Sequence, residues 1–481
     1  MTASHHAPRA RQVRSGAGRR LGRAPAALAA AIPLALASPP ALAQETRVPP
    51  AADPRIHEIV AEASPERIER DIRTLVGFGT RNTLSDTLSE TRGIGAARRW
   101  IKAELDRISA DCGGCLEVSY QRSLVEGDPD GRIRVDTWVV NVVAILRGET
   151  EPGRYVIMSG DIDSRASDAS DGETDAPGAN DNASGMAGVL EAARLLTASR
   201  PFSASVVFVG LSGEEQGLWG GEHMAQVALD EGWDITAVLN NDMIGNVRGV
   251  DGVVDNTTFR VFSEATPVTE HLPPGWSYRT YGGEVDGPSR QLARYVHRIT
   301  DEHFTNLDAL LIYRLDRFGR GGHHRPFNDA GFAGVRIMET HENYVMQHQD
   351  VRVEDGVAYG DVIEGVDFEY AARLTAVNAA VLASLAWAPP APRNVRIGGA
   401  VQPSTTLAWE PVEHPDLAGY RVYWRDTTAP QWQRSRFVGL VDRFTLEGMV
   451  VDNYLFGVAA VARSGDESVV SFPTGLLRRG G

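Results

Sequence analysis

Acidic side chains come directly after four short apolar runs of this sequence. The runs and their acids are "YVIMSG" with Asp161 and Asp163, "VVFVGLSG" with Glu214 and Glu215, "AVLNN" with Asp242, and "GVRIM" with Glu339. If the runs are parallel strands, their carboxyl ends share one edge of a sheet. Carboxylates gathered there would repel one another and raise each other's pKa unless cations neutralised them. The pattern therefore predicts a metal site, and Asp181 in "PGANDNASG" is placed to join it.

The histidines narrow the choice of metal. Four of them lie near the same predicted edge: His323 and His324 in "GGHHRPFND", and His341 and His348 in "ETHENYVMQHQD". Carboxylates with imidazole suit zinc or manganese, whereas an all-oxygen set would suit magnesium or calcium. The sequence contains no HExxH metal motif, no GxSxG nucleophile motif and no GxxxxGK[ST] phosphate loop, which excludes three other catalytic designs.

The elements that must position these residues are strands alternating with helices. Apolar runs without polar alternation, separated by helical stretches such as "ASGMAGVLEAARLL", predict an α/β domain built on a buried, mostly parallel mixed sheet. Ser64-Pro65 is a typical helix start, with Ser as N-cap and Pro at the first helical position. The long helix "DFEYAARLTAVNAAVLASLAW" closes this region.

The chain changes character at the proline-rich stretch "APPAPRNV". Beyond it, "GYRVYW" and "NYLFGVAAVA" alternate in period two, which predicts a small all-β sandwich. We expect three regions: a secretory signal peptide at 1–43, an α/β domain at 44–388 and the sandwich at 389–481.

The first 43 residues predict export. Six arginines lead into "AALAAAIPLALA", and "ALA" before Gln44 has the form of a cleavage site. The apolar run is too short to span a bilayer, so no membrane span is expected after cleavage. Since the segment carries six arginines and no acids, its removal takes the net charge from −15 to −21. A chain this acidic is not expected to bind nucleic acid. Localisation is expected to be secreted or periplasmic.

Cys112 and Cys115 in "DCGGC" are expected to form a local disulfide, because the chain is predicted to be exported. A redox CxxC is the alternative, but such a motif normally opens a helix, and "LEVSY" follows here.

Six blocks in order resemble the co-catalytic di-zinc aminopeptidase family, which includes bacterial leucyl aminopeptidases and glutamate carboxypeptidase-like enzymes. The blocks are "SGDIDSR", "PGANDNASGMAGVLEAARLL", "VVFVGLSGEEQGLWGG", "LNNDMIGN", "HHRPF" and "ENYVMQHQD". The resemblance covers 56–387 and implies the di-zinc exopeptidase fold. The last ninety or so residues resemble a fibronectin type III module.

The resemblance implies two divalent metal ions that share a bridging acid, Asp181. Glu215 corresponds to a ligand of one ion, Asp242 to a ligand of the other, and His348 to the distal histidine ligand. Asp161 stands where the family normally has a histidine ligand. Two ions ~3.5–4 Å apart can hold and acidify a bridging water. Zinc is the expected metal. Manganese and cobalt are alternatives, because the oxygen ligand of Asp161 makes its metal site chemically harder than the usual histidine would.

Two further acids resemble catalytic residues. Glu214 corresponds to the general base, which takes a proton from the attacking water and passes it to the leaving amine. Asp163 corresponds to the acid that orients the ligand two residues before it.

The resemblance implies an exopeptidase that removes N-terminal residues from peptides. The expected substrate contacts are His324, Tyr344, Glu339 and Trp219. One alternative is a carboxypeptidase for acidic dipeptides, which would need arginines to bind two carboxylates; Arg165, Arg314, Arg317, Arg320 and Arg325 are available. Another is a glutaminyl-cyclase-like acyltransferase. The non-enzyme alternative is a weakened binding scaffold. The sandwich is expected to bind a surface polymer or a protein, or to pack on the catalytic domain.

Overall fold

The computed structural model describes residues 48–51, 53–266 and 281–477, which belong to one compact unit. The predicted signal peptide lies outside these residues. No helix in the described part is long and apolar enough to cross a bilayer. The helices are α1 (Pro54–Ala61), α2 (Pro65–Val76), α3 (Gly93–Asp111), α4 (Gly185–Ser199), α5 (Glu214–Gly217), α6 (Trp219–Glu231), α7 (Pro288–His303), α8 (His324–Asp329) and α9 (Phe368–Trp387).

The first eight strands form one sheet in the order β1-β2-β4-β3-β5-β8-β6-β7. The four central strands, β4, β3, β5 and β8, run parallel to one another. This confirms the predicted α/β class with a mostly parallel mixed sheet. The strands are β1 (Leu116–Val125), β2 (Thr137–Leu146), β3 (Glu151–Asp161), β4 (Ala204–Leu211), β5 (Asp234–Asn241), β6 (Thr258–Ser263), β7 (Asp308–Ile312) and β8 (Gly334–Glu339).

The central strands are buried on both faces, which explains why their sequences lack polar alternation. Every residue of β4 is buried. Val206 and Phe208 pack into the core cluster that includes residues of α4 and α9, whereas Val207 and Val209 pack into the opposite cluster with residues of α6 and α8. Successive side chains of a strand point to opposite faces, so helices must cover both.

The helices begin where the sequence predicts. The Ser64 side chain accepts a hydrogen bond from the backbone N–H of Arg67, and Pro65 is the first helical residue of α2. Asp367 caps α9 in the same way by accepting from the N–H of Tyr370. These caps satisfy backbone donors that the first turn leaves free.

Two small sheets after 388 share one apolar core and form the predicted all-β sandwich. Leu407, Trp409, Val422, Phe456 and Val458 meet in that core. One sheet has the order β15-β12-β11-β17 and the other β14-β13-β16. After the hairpin β9 (Arg352–Glu354) and β10 (Val357–Tyr359), the strands are β11 (Arg396–Gly398), β12 (Thr405–Ala408), β13 (Leu417–Asp426), β14 (Arg434–Gly439), β15 (Arg443–Leu446), β16 (Tyr454–Ala462) and β17 (Gly475–Leu476).

Buried polar contacts attach the sandwich to the α/β part. Asp286, just before α7, accepts a hydrogen bond at 2.8 Å from Arg294 in α7 and one at 2.7 Å from Arg425 in β13. The Tyr295 hydroxyl donates to the carbonyl oxygen of Glu467 at 2.9 Å. The sandwich therefore packs directly on the α/β part.

The structure contains the expected disulfide. Cys112 follows the last turn of α3, and its Sγ is bonded to that of Cys115 across the Gly113-Gly114 turn. β1 begins one residue later, at Leu116.

Candidate metal centre and active site

The central strands bring the predicted acids to one edge of the sheet. Asp161 ends β3 and lies opposite Leu211, the last residue of β4. Asn241 ends β5 and lies opposite Gly160, so Asp242 follows at the same level. Glu214 begins α5 three residues after β4 ends. The parallel register therefore brings these acids to a common edge, as expected.

Three of the predicted ligands form a compact donor set. His348 Nε2 lies 3.0 Å from Asp181 Oδ2 and 3.1 Å from Glu215 Oε1. The ligand atoms of all three residues lie within 4.8 Å of one another. Donor atoms around a tetrahedral zinc ion lie about 3.3 Å apart, since each is about 2.0–2.2 Å from the metal. Two carboxylates and one imidazole at this spacing fit a zinc ion.

The charges of the three-residue donor set favour a bound cation. Burial opposes a charge on His348, yet Glu215 and Asp181 raise its pKa to about 10. The pKa of Asp181 is lowered, because the contacts with His348 outweigh the opposing effect of burial. The two carboxylates thus need a positive charge beside them, which a proton on His348 or a bound metal ion supplies.

Asp181 is held rigidly by neighbours that the sequence analysis did not identify. The Asp361 carboxylate accepts from the backbone N–H groups of Asn180, at 2.9 Å, and Asp181, at 2.6 Å. Gln347 Nε2 donates to Asp181 Oδ2 at 3.2 Å. Such supporting hydrogen bonds fix the direction of a ligand oxygen before the metal binds.

The structure gives Asp163 a different role from the predicted one. Its carboxylate does not orient Asp161; it accepts from the backbone N–H of Glu214 at 3.2 Å and from that of Glu215 at 3.0 Å. These donors lie in the first turn of α5, where no intrahelical acceptor is available. Asp163 therefore fixes the turn that carries the predicted base and the ligand next to it.

The Glu214 side chain is half-buried and lines the cleft beside the donor set. Burial raises its pKa well above the ordinary value, and the charges of Glu215, Asp242 and Asp161 raise it further. A carboxylate with a raised pKa is a better proton acceptor, which suits the role of a general base.

Asp161 lies outside the three-residue donor set, and both of its oxygens have protein partners. Oδ1 is 2.6 Å from His323 Nδ1, and Oδ2 accepts from Asn182 Nδ2 at 2.7 Å. Burial raises the pKa of Asp161 to about 8 and lowers that of His323 to about 4, so both groups favour their neutral forms. The Asp161 carboxyl group is therefore hydrogen-bonded to His323 and is not a free carboxylate.

Asp242 is paired with an arginine. Arg336, in β8, is completely buried, and its Nη2 lies 2.6 Å from Asp242 Oδ2. The same guanidinium lies 3.1 Å from Asp316 Oδ2 and donates to the carbonyl oxygen of Gly321 at 2.6 Å. Burial opposes this charge, but Asp242 and Asp316 raise the pKa of Arg336 above its ordinary value.

The described residues fit the expected second metal ion poorly. That ion would need Asp161 and Asp242 together with Asp181. Asp161 is bonded to His323, and Asp242 faces a fixed positive charge. No group of three ligand atoms within 4.8 Å of one another includes Asp161 or Asp242 in the described part of the chain.

The predicted substrate contacts do not line the cleft. Glu339 is 1% exposed and accepts from Asn180 and Asn246, so it supports the loop before Asp181. The Trp219 ring packs against Val125, Ile133 and Val139, away from the donor set.

The other two predicted substrate contacts also lie outside the cleft lining. His324 is fully buried, and its Nε2 donates to the carbonyl oxygen of Leu315 at 2.8 Å. The Tyr344 side chain is 55% exposed and is not among the cleft residues. All four predictions placed sequence neighbours of the site in the cleft. Hydrogen bonds hold Glu339 and His324 elsewhere and packing holds Trp219, whereas Tyr344 is largely exposed outside the cleft.

The donor set lies in a cleft of about 470 Å³. Asp181, Glu214, Glu215, Asp242 and His348 form its acidic end. The remaining charged lining consists of arginines together with Glu222 and Asp329. Three of the arginines are anchored by other residues: Arg132 donates to a backbone carbonyl, and Arg317 and Arg320 share the buried Glu342. The arginines in the cleft are Arg132, Arg165, Arg317, Arg320 and Arg325.

Comparison with known proteins gives the following similarities. The model of Peptidase family M28 matches residues 141–272. A probable zinc metalloprotease of Leptosphaeria maculans is 42% identical over 427 residues, which cover 89% of this chain and 98% of that protein. A probable zinc metalloprotease of Pyricularia oryzae is 41% identical over 428 residues, covering 88% and 84%. LapB from Legionella pneumophila has a similar fold, with a TM-score of 0.50 at 18% identity over 70% of this chain and 76% of that one.

Proposed function

This chain belongs to peptidase family M28 and is a zinc metallopeptidase, and we propose that it removes N-terminal residues from peptides. The observation that carries the proposal is the donor set of Asp181, Glu215 and His348 next to Glu214 in an open cleft. Catalytic zinc sites keep three protein ligands and leave a position for water or substrate, whereas structural sites are closed.

The chain's own residues perform the proton transfers. Bound zinc would polarise the scissile carbonyl group and lower the pKa of a water molecule. Glu214 takes a proton from the attacking water and delivers it to the leaving nitrogen, which departs as an amine. Asp163 keeps Glu214 in place through the backbone of α5. The Glu214 carboxylate must be ionised to begin this cycle, and a zinc ion bound at the neighbouring donor set would favour that ionised form.

The acidic end of the cleft favours a substrate with a free α-ammonium group. Asp181, Glu214 and Glu215 line this end of the cleft together with Asp242, and their carboxylates attract a positively charged group. Glu339, the acid among the expected substrate contacts, does not line this cleft.

A second candidate, action on peptides that carry an extra carboxylate, is favoured by the arginines of the cleft. Arg325 Nε is buried without a hydrogen-bond partner in the described part of the chain. Arg165, Arg317 and Arg320 line the same cleft. Guanidinium groups bind carboxylates through paired N–H donors, so these residues suit a carboxypeptidase acting on acidic dipeptides.

We expect hydrolysis that a chelator abolishes and zinc restores, because Asp181 and Glu215 cannot polarise a carbonyl group without the metal. The measurement is a panel of aminoacyl-anilide and N-acyl-dipeptide substrates, assayed with chelator and after addition of zinc, manganese or cobalt. Aminoacyl substrates should be cleaved faster. A preference for acyl-dipeptides ending in glutamate, lost in Arg325→Gln, would favour the second candidate.

The same panel separates the remaining alternatives. A peptide with N-terminal glutamine that loses ammonia without cleavage would indicate a cyclising acyltransferase. No chelator-sensitive reaction with any substrate would contradict the proposal and favour a binding scaffold. Serum albumin, assayed in parallel with the same zinc additions, controls for hydrolysis by free metal.

We also propose that the chain is exported and that the sandwich is a separate module. Export of the chain, with removal of 1–43, rests on the arginine-rich start and the apolar run of that segment. The sandwich is taken as a fibronectin type III-like module with its boundary near 388, supported by its two sheets around one core. Its contacts through Asp286 indicate that it also stabilises the catalytic part.

A further inference from the structure

Arg336 is a buried cationic side chain next to Asp242, one of the expected ligands of the second metal ion. Its strand, β8, lies beside β5, with Arg336 opposite Asn240, two residues before Asp242. The side chain reaches Asp242, which follows β5 at the edge where the acids gather, and it is fully buried there. A buried guanidinium needs carboxylates or carbonyl groups around it. Here Nη1 donates to Asp316 and to the carbonyl oxygen of Gly321, whereas Nη2 forms an ion pair with Asp242 at 2.6 Å without a hydrogen bond.

We infer that the chain binds a single zinc ion, at Asp181, Glu215 and His348, and that Arg336 neutralises Asp242 in place of a second ion. This inference rests on the proposed zinc peptidase function and specifies its metal content. Arg336 acts through Asp242 and does not reach the cleft itself. It is therefore a positioning residue.

Two independent observations support a single ion. The first is the contact of 2.6 Å between Arg336 Nη2 and Asp242 Oδ2, which places a fixed positive charge where a dication would bind. Like charges in a buried site repel strongly. The second is at the other expected ligand, where His323 and Asn182 occupy the two oxygens of Asp161. Asp161 and Asp242 thus both have protein partners, hydrogen-bond partners for Asp161 and an arginine for Asp242.

The inference also changes the charge of the site. The carboxylates of Asp161, Asp181, Glu215 and Asp242 would be matched by two dications in the expected arrangement. With one zinc ion, Arg336 supplies one further positive charge beside Asp242, and Asp161 keeps its hydrogen-bond contacts with His323 and Asn182. Part of the positive charge in the site therefore comes from the protein itself.

The test is the zinc content of the purified full chain. The protein is dialysed against zinc with a competing chelator of known affinity, and its zinc is measured by inductively coupled plasma mass spectrometry. We expect about one tightly bound ion per chain in the natural protein and in Asp242→Asn. Asp181→Asn is the matched control and should lose that ion, because the same type of change removes a ligand of the proposed site.

The possible outcomes are distinct. Two tightly bound ions in the natural protein, falling to one in Asp242→Asn, would overturn the inference while leaving the proposed function intact. No zinc in the natural protein would overturn both. If Asp242→Asn does not fold by circular dichroism, Asp161→Asn serves the same purpose and should also retain about one ion.

Discussion

Glu214→Gln should lower kcat on the order of 10³-fold while the chain keeps its zinc. Glutamine has the size of glutamate but cannot accept and return a proton, and a positioned acid or base typically contributes about 10²–10⁴-fold to a rate. Asp163 bonds the backbone of Glu214, not its side chain, so α5 should stay in place in the variant. The measurement is steady-state kinetics on the best substrate of the panel, with zinc content determined on the same sample.

The control is Glu58→Gln, the same chemical change at an exposed position in α1. It should leave kcat unaltered. A loss of less than ten-fold in Glu214→Gln would show that another group moves the proton. A large loss accompanied by loss of zinc would show instead that Glu214 is needed for metal binding.

Asp286→Ala should reduce the free energy of unfolding by about 3–5 kcal/mol. The change leaves Arg294 and Arg425 buried with no carboxylate between them, and removing one partner of a buried ion pair typically costs this much. Both arginine side chains are about 1% exposed, so water cannot replace the lost partner. The measurement is urea unfolding followed by tryptophan fluorescence.

Asp426→Ala is the matched control for this change. Asp426 follows Arg425 in β13 and pairs with Arg434, but both side chains of that pair are nearly half exposed. An exposed ion pair contributes about 0–1 kcal/mol. Equal effects of the two substitutions would mean that Asp286 does not hold the sandwich to the α/β part in the way described.

The sequence predicts the central strands better than the edge strands. The middle parts of β3, β4, β5 and β8 are largely apolar, because helices cover both faces of the sheet there. β6 and β7 were not predicted: "TFRVFS" and "DALLI" are short and mix polar with apolar residues, as a strand near the sheet edge can. β6 takes its place in the sheet by pairing with β8, and β7 by pairing with β6, and local sequence does not encode either pairing.

The candidate site could likewise be predicted from the sequence only in part. Asp181, Glu215 and His348 could be identified from motif order, but the pairing of Asp242 with Arg336 depends on two neighbouring strands. One signal was present: Arg336 is the only charged residue in "GVRIM", a run otherwise apolar. A lone arginine in a strand buried on both faces needs an acidic partner. The acids Asp242 and Asp316 supply it, and only the fold reveals them.

Anomalous diffraction at the zinc absorption edge, from crystals of the full chain grown with zinc, would locate the metal directly. We expect one strong peak between Asp181 Oδ2, Glu215 Oε1 and His348 Nε2, with Arg336 still in contact with Asp242. A second peak of similar height between Asp161 and Asp242 would contradict the single-ion site. A map with no peak at the three-residue set would contradict the catalytic role assigned to this cleft.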